Sequence, residues 1–240
     1  MKHLIFLASV LVMPGTAFPQ SNVPTFGSAY AGNQYFDREH SDIQPSTVTH
    51  CSEDDSKPRG RGRVKVQVVP YVKKEAEGLD WPHDQFHVNV VRDGREERVT
   101  DLEASYGTCD VYLIRLDAGP EPAVVIESGE GRGTFTYRRS VSVYKRTEGT
   151  YGFVFDANLN GYLPPPQGGD PKAWERAYTF RRSRSGMATI RLRLRLAPEE
   201  WPDFGLAQEL DALQFPVRDY CWNHEHSSYV LCDYKFTKPK

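Results

Sequence analysis

Polar and apolar residues alternate along several stretches of the chain after residue 60. In "VKVQV" (64–68) the three valines share one face of an extended segment, and the lysine and glutamine share the other. The same period of two runs through "GTFTYRRSVSVYKR" and "TIRLRLRL", whereas "CDVYLI" and "AVVI" are short continuous apolar runs. Alternation is typical of strands with one buried face, and continuous runs are consistent with fully buried strands. The pattern predicts β-structure.

Turn signals separate these strands. Asp93-Gly94 joins two extended runs and is suited to a type I′ hairpin turn. One short helix is predicted at 203–213, where apolar residues recur at helical spacing after Asp203. About nine or ten strands and one helix indicate an all-β fold, a mainly antiparallel sandwich or open barrel, rather than alternating β-α units.

The first 60 residues differ in composition from the rest. "MKHLIFLASVLVMPGTA" has a short basic start, an apolar run shorter than the ~18 residues of a spanning helix, and small residues at its end. We expect residues 1–17 to be a secretory signal peptide, with a buried N-terminal strand or helix as the alternative, and we expect no transmembrane segment in the mature chain. Residues 18–60, poor in periodicity, are expected to form an irregular arm. It leads into "RGRGR" (59–63), interpreted as a flexible basic linker, and residues 61–240 would form a single β-rich domain.

The chain has four cysteines, and an even number in an exported protein favours disulfides. Four cysteines allow three pairings. We prefer Cys221–Cys232, which would join the arms of a terminal hairpin, and Cys51–Cys109, which would tie the N-terminal segment to the first sheet. The absence of a CxxC pair argues against a zinc site or redox catalysis by these residues.

The formal charge is near neutral, with 30 basic and 32 acidic residues, which argues against general polyanion or nucleic-acid binding but allows a local basic patch. Such a patch is predicted at one hairpin, because guanidinium groups bind phosphate, sulfate and carboxylate through paired hydrogen bonds. The alternative is a solvated face neutralised by cross-strand glutamates. The residues predicted to face an anionic ligand are Arg181, Arg182, Arg184, Arg191, Arg193 and Arg195.

The stretch "FDANLNGYLPPPQGGD" has the alternate oxygen-bearing side chains of a calcium loop, namely Asp156, Asn158 and Asn160. Calcium takes about six to eight oxygen ligands. The twelfth position of the loop is Gln167 instead of glutamate, and three prolines before it prevent an exit helix, so an EF-hand is excluded. The candidates that remain are a weak calcium site and an ordinary turn between two strands.

Two histidines in "WNHEHSS" form a second candidate metal site. On a strand His224 and His226 would share a face and could bind one zinc or copper ion. Completion of the site would require convergence with His83 or His87. The alternative is a polar hairpin loop between Cys221 and Cys232.

Residues 116–145 resemble one unit of the FG-GAP type of repeat, found in extracellular propellers. In that repeat an Asp- and Gly-rich calcium turn precedes a Pro-Glu pair and an apolar strand, and Asp117, Gly119, Pro120 and Glu121 hold similar places here. The other acidic ligands of that turn are absent. No fixed-period repeat runs through the chain, so a complete propeller is not predicted.

The sequence contains no GxSxG motif and no carboxylate pair with the spacing of an acid/base couple, so a binding role is favoured over an enzyme. The predicted function is a secreted or periplasmic binding or interaction protein, whose partner is an anionic ligand such as a glycan, or an envelope protein. The alternatives are a metal-dependent hydrolase using His224 and His226, and a structural envelope component. No cofactor is expected other than calcium at Asp156.

Overall fold

The structure is a computed structural model of the chain, and it describes residues 35–51, 56–71, 84–104, 109–130, 138–163, 172–184, 186–196 and 216–232. These segments contain strands and turns, and none of them forms a helix, so none supplies an apolar helix of membrane-spanning length. The helix predicted at 203–213 lies outside the described residues. The strands are β1 Thr47–His50, β2 Val64–Tyr71, β3 Asp84–Arg92, β4 Arg95–Ala104, β5 Cys109–Ile114, β6 Ala123–Glu130, β7 Arg138–Thr147, β8 Thr150–Asn158, β9 Asn160–Leu163, β10 Lys172–Arg181, β11 Thr189–Leu196, β12 Val217–Asn223 and β13 Ser228–Leu231.

The thirteen strands form three sheets, and every pairing between them is antiparallel. The central sheet has the order β1-β5-β6-β7-β8, the second sheet β13-β12-β11-β10-β9, and the small sheet β2-β3-β4. The predicted all-β, mainly antiparallel fold is confirmed, with more strands than the sequence indicated.

The central sheet is covered on both faces. Tyr112 of β5 and Val125 of β6 belong to the core shared with the second sheet. Their neighbours Val111 and Val124 belong to a separate core shared with the small sheet. Because alternate side chains of β5 and β6 enter different cores, both sets must be apolar. This is why "VYLI" and "AVVI" are continuous rather than alternating.

Two tight hairpins have the expected turn chemistry. Asp93 and Gly94 both have positive φ, at 47° and 79°, as a type I′ turn requires, and they connect β3 to β4. Glu148 and Gly149 have φ of 53° and 95° and connect β7 to β8 in the same way. The hairpin predicted at Asp93-Gly94 is therefore confirmed.

Both predicted disulfides are present, and the described residues contain no free cysteine. Cys51–Cys109 joins the end of β1 to the start of β5, and Cys221–Cys232 closes the β12–β13 hairpin. Two disulfides are compatible with an oxidising extracellular or periplasmic environment.

Residues 35–51 contribute to the core, although their sequence shows little periodicity. Tyr35 and Phe36 are buried between the central and second sheets. The N–H of Asp37 donates to the carbonyl of Tyr178 at 2.9 Å, and the N–H of Tyr178 donates to the carbonyl of Tyr35 at 2.9 Å, so the segment extends along β10. Strand β1 then pairs with β5. Part of the region expected to be an irregular arm thus contacts both large sheets.

The chain passes from the central sheet to the second sheet at Leu159, which is fully buried. Its N–H donates to the carbonyl of Arg139 in β7, and its carbonyl accepts from the N–H of Arg176 in β10, both at 2.7 Å. The following Gly161 lies against the indole of Trp174, and a Cβ there would come within 2.8 Å of the ring. Glycine is therefore required for this close approach, which forms a corner between the two sheets.

Candidate functional site

The arginines of β11 are paired with aspartates from neighbouring segments. Arg191 lies opposite Asp219 of β12, and its Nε and Nη2 donate to the two carboxylate oxygens at 2.6 and 2.7 Å. Nη2 of Arg193 donates to Oδ2 of Asp37 at 2.7 Å, and Nη2 of Arg195 lies 3.7 Å from the same oxygen. The alternating stripe predicted from "TIRLRLRL" is therefore interspersed with carboxylates.

Asp37 is buried and charged. Nδ1 of His40 lies 2.9 and 3.0 Å from its two carboxylate oxygens. Burial by itself would raise the pKa of Asp37, but the hydrogen bonds from His40 and the charges of His40 and Arg195 outweigh it and hold the pKa below its ordinary value. Asp37 is therefore ionised at neutral pH and serves as a counterion for Arg193 and Arg195 of β11.

The three arginines of the β10–β11 hairpin arm and turn divide into two kinds. Nε of Arg181 lies 3.4 Å from Oδ2 of Asp42, and its Nη1 donates to the carbonyl of His40 at 2.8 Å. Arg182 and Arg184 lie in the turn and are exposed. Within the described part of the chain, neither of their side chains makes a hydrogen bond or ion pair.

Arg182 lines a cleft of about 380 Å³ between the β10–β11 turn and the β5–β6 connection, which we call the Arg182 cleft. Arg115 also lines it, is exposed, and has no ion pair among the described residues. The carboxylate of Asp117, also in the lining, is already engaged: Nζ of Lys145 lies 2.9 Å away, and the N–H of Gly119 donates to it at 2.9 Å. The arginines of this cleft therefore lack a counterion there.

A second cleft, of about 570 Å³, shares Arg115 with the first, and we call it the Arg61 cleft. Arg61 and Arg63 also line it, and both are exposed, without an ion pair in the described segments. Its Arg92 donates from both terminal nitrogens to the two carboxylate oxygens of Glu121. The hydrogen bond from Arg92 is the main cause that lowers the pKa of Glu121, so this pair is charged and mutually neutralised.

The "RGRGR" stretch builds part of the Arg61 cleft. Arg59 and Val66 exchange two backbone hydrogen bonds of 2.7 and 2.9 Å, so the stretch folds back onto β2 instead of running on as an extended linker. Gly62 has a φ of 86°, a left-handed conformation that glycine adopts without strain. This turn places Arg61 and Arg63 beside the β3–β4 turn and the β5–β6 connection.

A third cleft, of about 480 Å³, shares Arg92 and Asp93 with the Arg61 cleft and no lining residue with the Arg182 cleft. Three arginines and three carboxylates line it. Nε of Arg146 donates to Glu97 at 3.2 Å, which neutralises two of these charges. We call it the neutral cleft. Its members are Arg92, Asp93, Arg95, Glu96, Glu97 and Arg146.

Charged side chains are also enclosed between the central and second sheets. Glu127 of β6 lies opposite Asp110 of β5 in the sheet register, and Nη2 of Arg139 from β7 lies 3.7 Å from Asp110 and 3.8 Å from Glu127. The hydroxyl of Tyr178 in β10 donates to Oε1 of Glu127 at 2.8 Å. Nδ1 of His50, on the exposed edge strand β1, contacts Asp110. A chain of polar contacts therefore leads from the surface into the sheet interface.

Glu127 is fully buried. Burial raises the pKa of Glu127 from 4.5 to about 8, although the charge of Arg139 and a backbone hydrogen bond from Phe36 act in the opposite direction. The carboxyl group is therefore mainly protonated at neutral pH. Together with Asp110, Arg139 and the hydroxyl of Tyr178, it forms a buried polar network between the two sheets.

The sequence carried a signal for this cluster that pattern analysis overlooked. On the face of β6 that contains Ala123 and Val125, the next inward position is Glu127. The next inward positions on the neighbouring strands are Asp110 and Arg139. Asp110 is directly opposite Glu127, and Arg139 lies one inward position beyond Val141, the β7 residue opposite Glu127. Ionisable residues at the inward positions of three successive strands indicate a polar cluster in the core.

The candidate calcium residues are not gathered around one point. Asp156 and Asn158 are exposed on β8, whereas Asn160 is 1% exposed at the corner between the sheets. Its Oδ1 accepts from the N–H of Arg139 at 2.6 Å, and its Nδ2 donates to the hydroxyl of Tyr35 at 3.1 Å. The amide oxygen proposed as a ligand is therefore used internally. Up to Leu163 the stretch is extended on both sides of Leu159, and its remainder, 164–170, lies outside the described residues.

The histidines lie in different parts of the fold. His224 and His226 are exposed in the turn between β12 and β13, where Oδ1 of Asn223 accepts from the N–H of His226 at 3.1 Å. His87 lies in the small sheet and contacts Asp101 at 2.8 Å, and His83 lies outside the described residues. No group of three or more His, Cys, Asp or Glu side chains suited to a metal ion occurs in the described residues.

Comparison of the chain with protein-family models, curated proteins and solved structures gives no match.

Proposed function

We propose that the chain is a secreted or periplasmic binding protein whose ligand is an anionic glycan held at the Arg182 cleft. The observation that carries this proposal is the pairing pattern of the arginines. Arg115 and Arg182 line one cleft, and neither side chain makes an ion pair among the described residues, whereas the carboxylate in the same lining is held by Lys145.

The chemistry of the cleft suits sulfate and carboxylate groups. A guanidinium group presents a planar set of donors that binds such oxyanions through two parallel hydrogen bonds, and it stays charged at all physiological pH values. Binding residues on connecting loops of a rigid sheet scaffold are a common arrangement. The side chains of Arg191, Arg193 and Arg195 already have carboxylate partners. Contact between these three arginines and the ligand therefore stays a prediction and is not part of the observation that supports the proposal.

Export of the protein is the second part of the proposal. It is supported by the basic and apolar character of residues 1–17 and by the two disulfides, which persist in oxidising compartments. A glycan ligand would be encountered in such a compartment, at a cell surface or in an envelope.

Salt elution from a heparin matrix tests the binding. We expect the purified protein to be retained at low salt, and the variant R115S/R182S to elute at clearly lower salt, because the lost interactions are electrostatic and screened by ions. The control is R95S, which removes an exposed arginine that lines the neutral cleft and has no ion pair in the described residues. Elution of R115S/R182S at the salt concentration of the wild type, with an unchanged circular dichroism spectrum, would overturn the proposal.

A further inference from the structure

Two basic clefts lie side by side at one end of the molecule and have Arg115 in common. We propose that the ligand is an extended chain with several anionic groups, which occupies the Arg182 cleft and the Arg61 cleft together across Arg115. This inference rests on the proposed function and names the form of the ligand: a linear, repeatedly sulfated or carboxylated glycan rather than a short one with a single anionic group.

Loops from all three sheets meet at this end. The start of β2 brings Arg61 and Arg63, the β5–β6 connection of the central sheet brings Arg115, and the β10–β11 turn of the second sheet brings Arg182. The two clefts therefore join parts of the chain that are distant in sequence. A basic patch on a single exposed hairpin would contain residues from only one segment of the sequence.

Both clefts carry an excess of positive charge among their lining residues. In the Arg61 cleft, Arg92 and Glu121 neutralise each other, which leaves Arg61, Arg63 and Arg115 against one exposed carboxylate, that of Asp93. In the Arg182 cleft, the carboxylate of Asp117 is held by Lys145. The excess charge is thus distributed along both clefts and not concentrated at one point.

The basic surface has a limit on one side. Beyond Arg92 lies the neutral cleft, where Arg146 is paired with Glu97 and Glu96 contributes a further carboxylate. An anionic ligand that follows the two basic clefts would gain no net electrostatic attraction if it continued in that direction. The site therefore has a direction, running from Arg63 past Arg115 toward Arg182.

If one ligand molecule occupies both clefts, its affinity should depend on its length. Once one anionic group is bound, the next is held near the second cleft at a high effective concentration, so the gain exceeds the statistical increase from additional binding positions. A ligand that fits one cleft would show only the statistical increase.

The experiment uses heparin oligosaccharides of defined length, from disaccharide to octasaccharide, titrated into the purified protein by calorimetry at low salt. We expect the affinity per disaccharide unit to rise by about tenfold or more between the shortest and the longest ligand. In R61S/R63S the disaccharide affinity should stay within about twofold of wild type, because the Arg182 cleft is intact, and the dependence on length should be lost.

Two further variants separate charge from structure. R61K/R63K keeps the charge of the turn and should keep most of the dependence on length, whereas a purely structural role of these arginines would not be restored by lysine. R95S, in the neutral cleft, should bind every oligosaccharide as the wild type does.

The two proposals fail in different ways. If no oligosaccharide binds at low salt, the proposed function is overturned. If all lengths bind with the same affinity per disaccharide unit, or if R61S/R63S retains the full dependence on length, binding occurs at one cleft and the extended ligand is overturned while the proposed function stands.

Discussion

The arginines of strand β11 and the arginines of the loop end show how one residue type can have two roles in the same fold. On β11, Arg191 and Arg193 each contact a buried aspartate at 2.6–2.7 Å. At the loop end, Arg61 and Arg182 are exposed and have no such partner in the described residues. The strand arginines therefore stabilise the attachment of neighbouring segments, and the loop arginines are available to a ligand.

The difference arises from the neighbours and not from the arginines themselves. A residue on β11 has fixed neighbours on β10 and β12, and Asp219 is directly opposite Arg191. At the β10–β11 turn the nearby carboxylate of Asp42 is used by the backbone N–H of Arg182, at 3.0 Å, and by Nε of Arg181, at 3.4 Å. The side chain of Arg182 makes no ion pair among the described residues. Three experiments extend or test this comparison, from the largest expected effect on stability to the smallest.

The carboxyl of Glu127 is the extreme case of an ionisable group enclosed by the fold. Below about pH 4.5 Glu127 is protonated in both the folded and the unfolded chain. Between that pH and about 8 the unfolded chain loses this proton while the folded chain keeps it. The unfolded state then binds fewer protons, so this group should lower the free energy of unfolding as pH rises, by up to about 1.4 kcal/mol per pH unit.

Urea denaturation of the wild type and of E127Q between pH 5 and 7 measures this effect. The glutamine retains an oxygen that can accept from the hydroxyl of Tyr178 and does not titrate, so the wild type should lose stability relative to the variant as pH rises. Parallel pH profiles for the two proteins would show that Glu127 is ionised in the folded state and that the strand environment tolerates its charge.

Loss of a strand arginine should destabilise the fold without affecting the ligand. R191S leaves the buried carboxylate of Asp219 without its two hydrogen bonds from Arg191, and we expect a cost of about 1–3 kcal/mol in the free energy of unfolding. The variant R191S/D219S removes both partners and should recover part of this loss, since removal of a complete pair is less costly than removal of one member. A midpoint of urea denaturation that is the same in R191S and the wild type would contradict the structural role.

The alternation of "TIRLRLRL" predicted which side of β11 is buried, because a strand has only two faces and Ile190 and Leu192 must leave water. It did not predict the counterions, since Asp37 and Asp219 reach the stripe through sheet pairings that connect distant parts of the sequence. The contacts of "RGRGR" with the rest of the fold were also not predictable from the local sequence. Its composition is typical of a flexible linker, and only the bridge between Arg59 and Val66 shows that it forms a folded turn.

The cysteine pairings were predictable because a hairpin brings Cys221 and Cys232 close together. Cys51 and Cys109 could then pair only with each other. The three-layer arrangement was not predicted. The continuous runs in β5 and β6 were assigned to strands, but which sheet covers each face depends on long-range packing that local periodicity does not encode.

Loss of the turn arginines should have the smallest effect on stability and a clear effect on binding. Arg182 and Arg184 are exposed, and their side chains contact no partner in the described residues, so R182S/R184S should change the free energy of unfolding by under about 0.5 kcal/mol per site. The same variant should elute from heparin at lower salt than the wild type, because Arg182 lines the same cleft as Arg115. The matched comparison is R191S, which should elute close to the wild type once it is confirmed to be folded at the temperature of the experiment. If R191S loses heparin binding and R182S/R184S retains it, the two groups of arginines have the opposite roles, and the ligand contacts the face of β11 instead of the loop end.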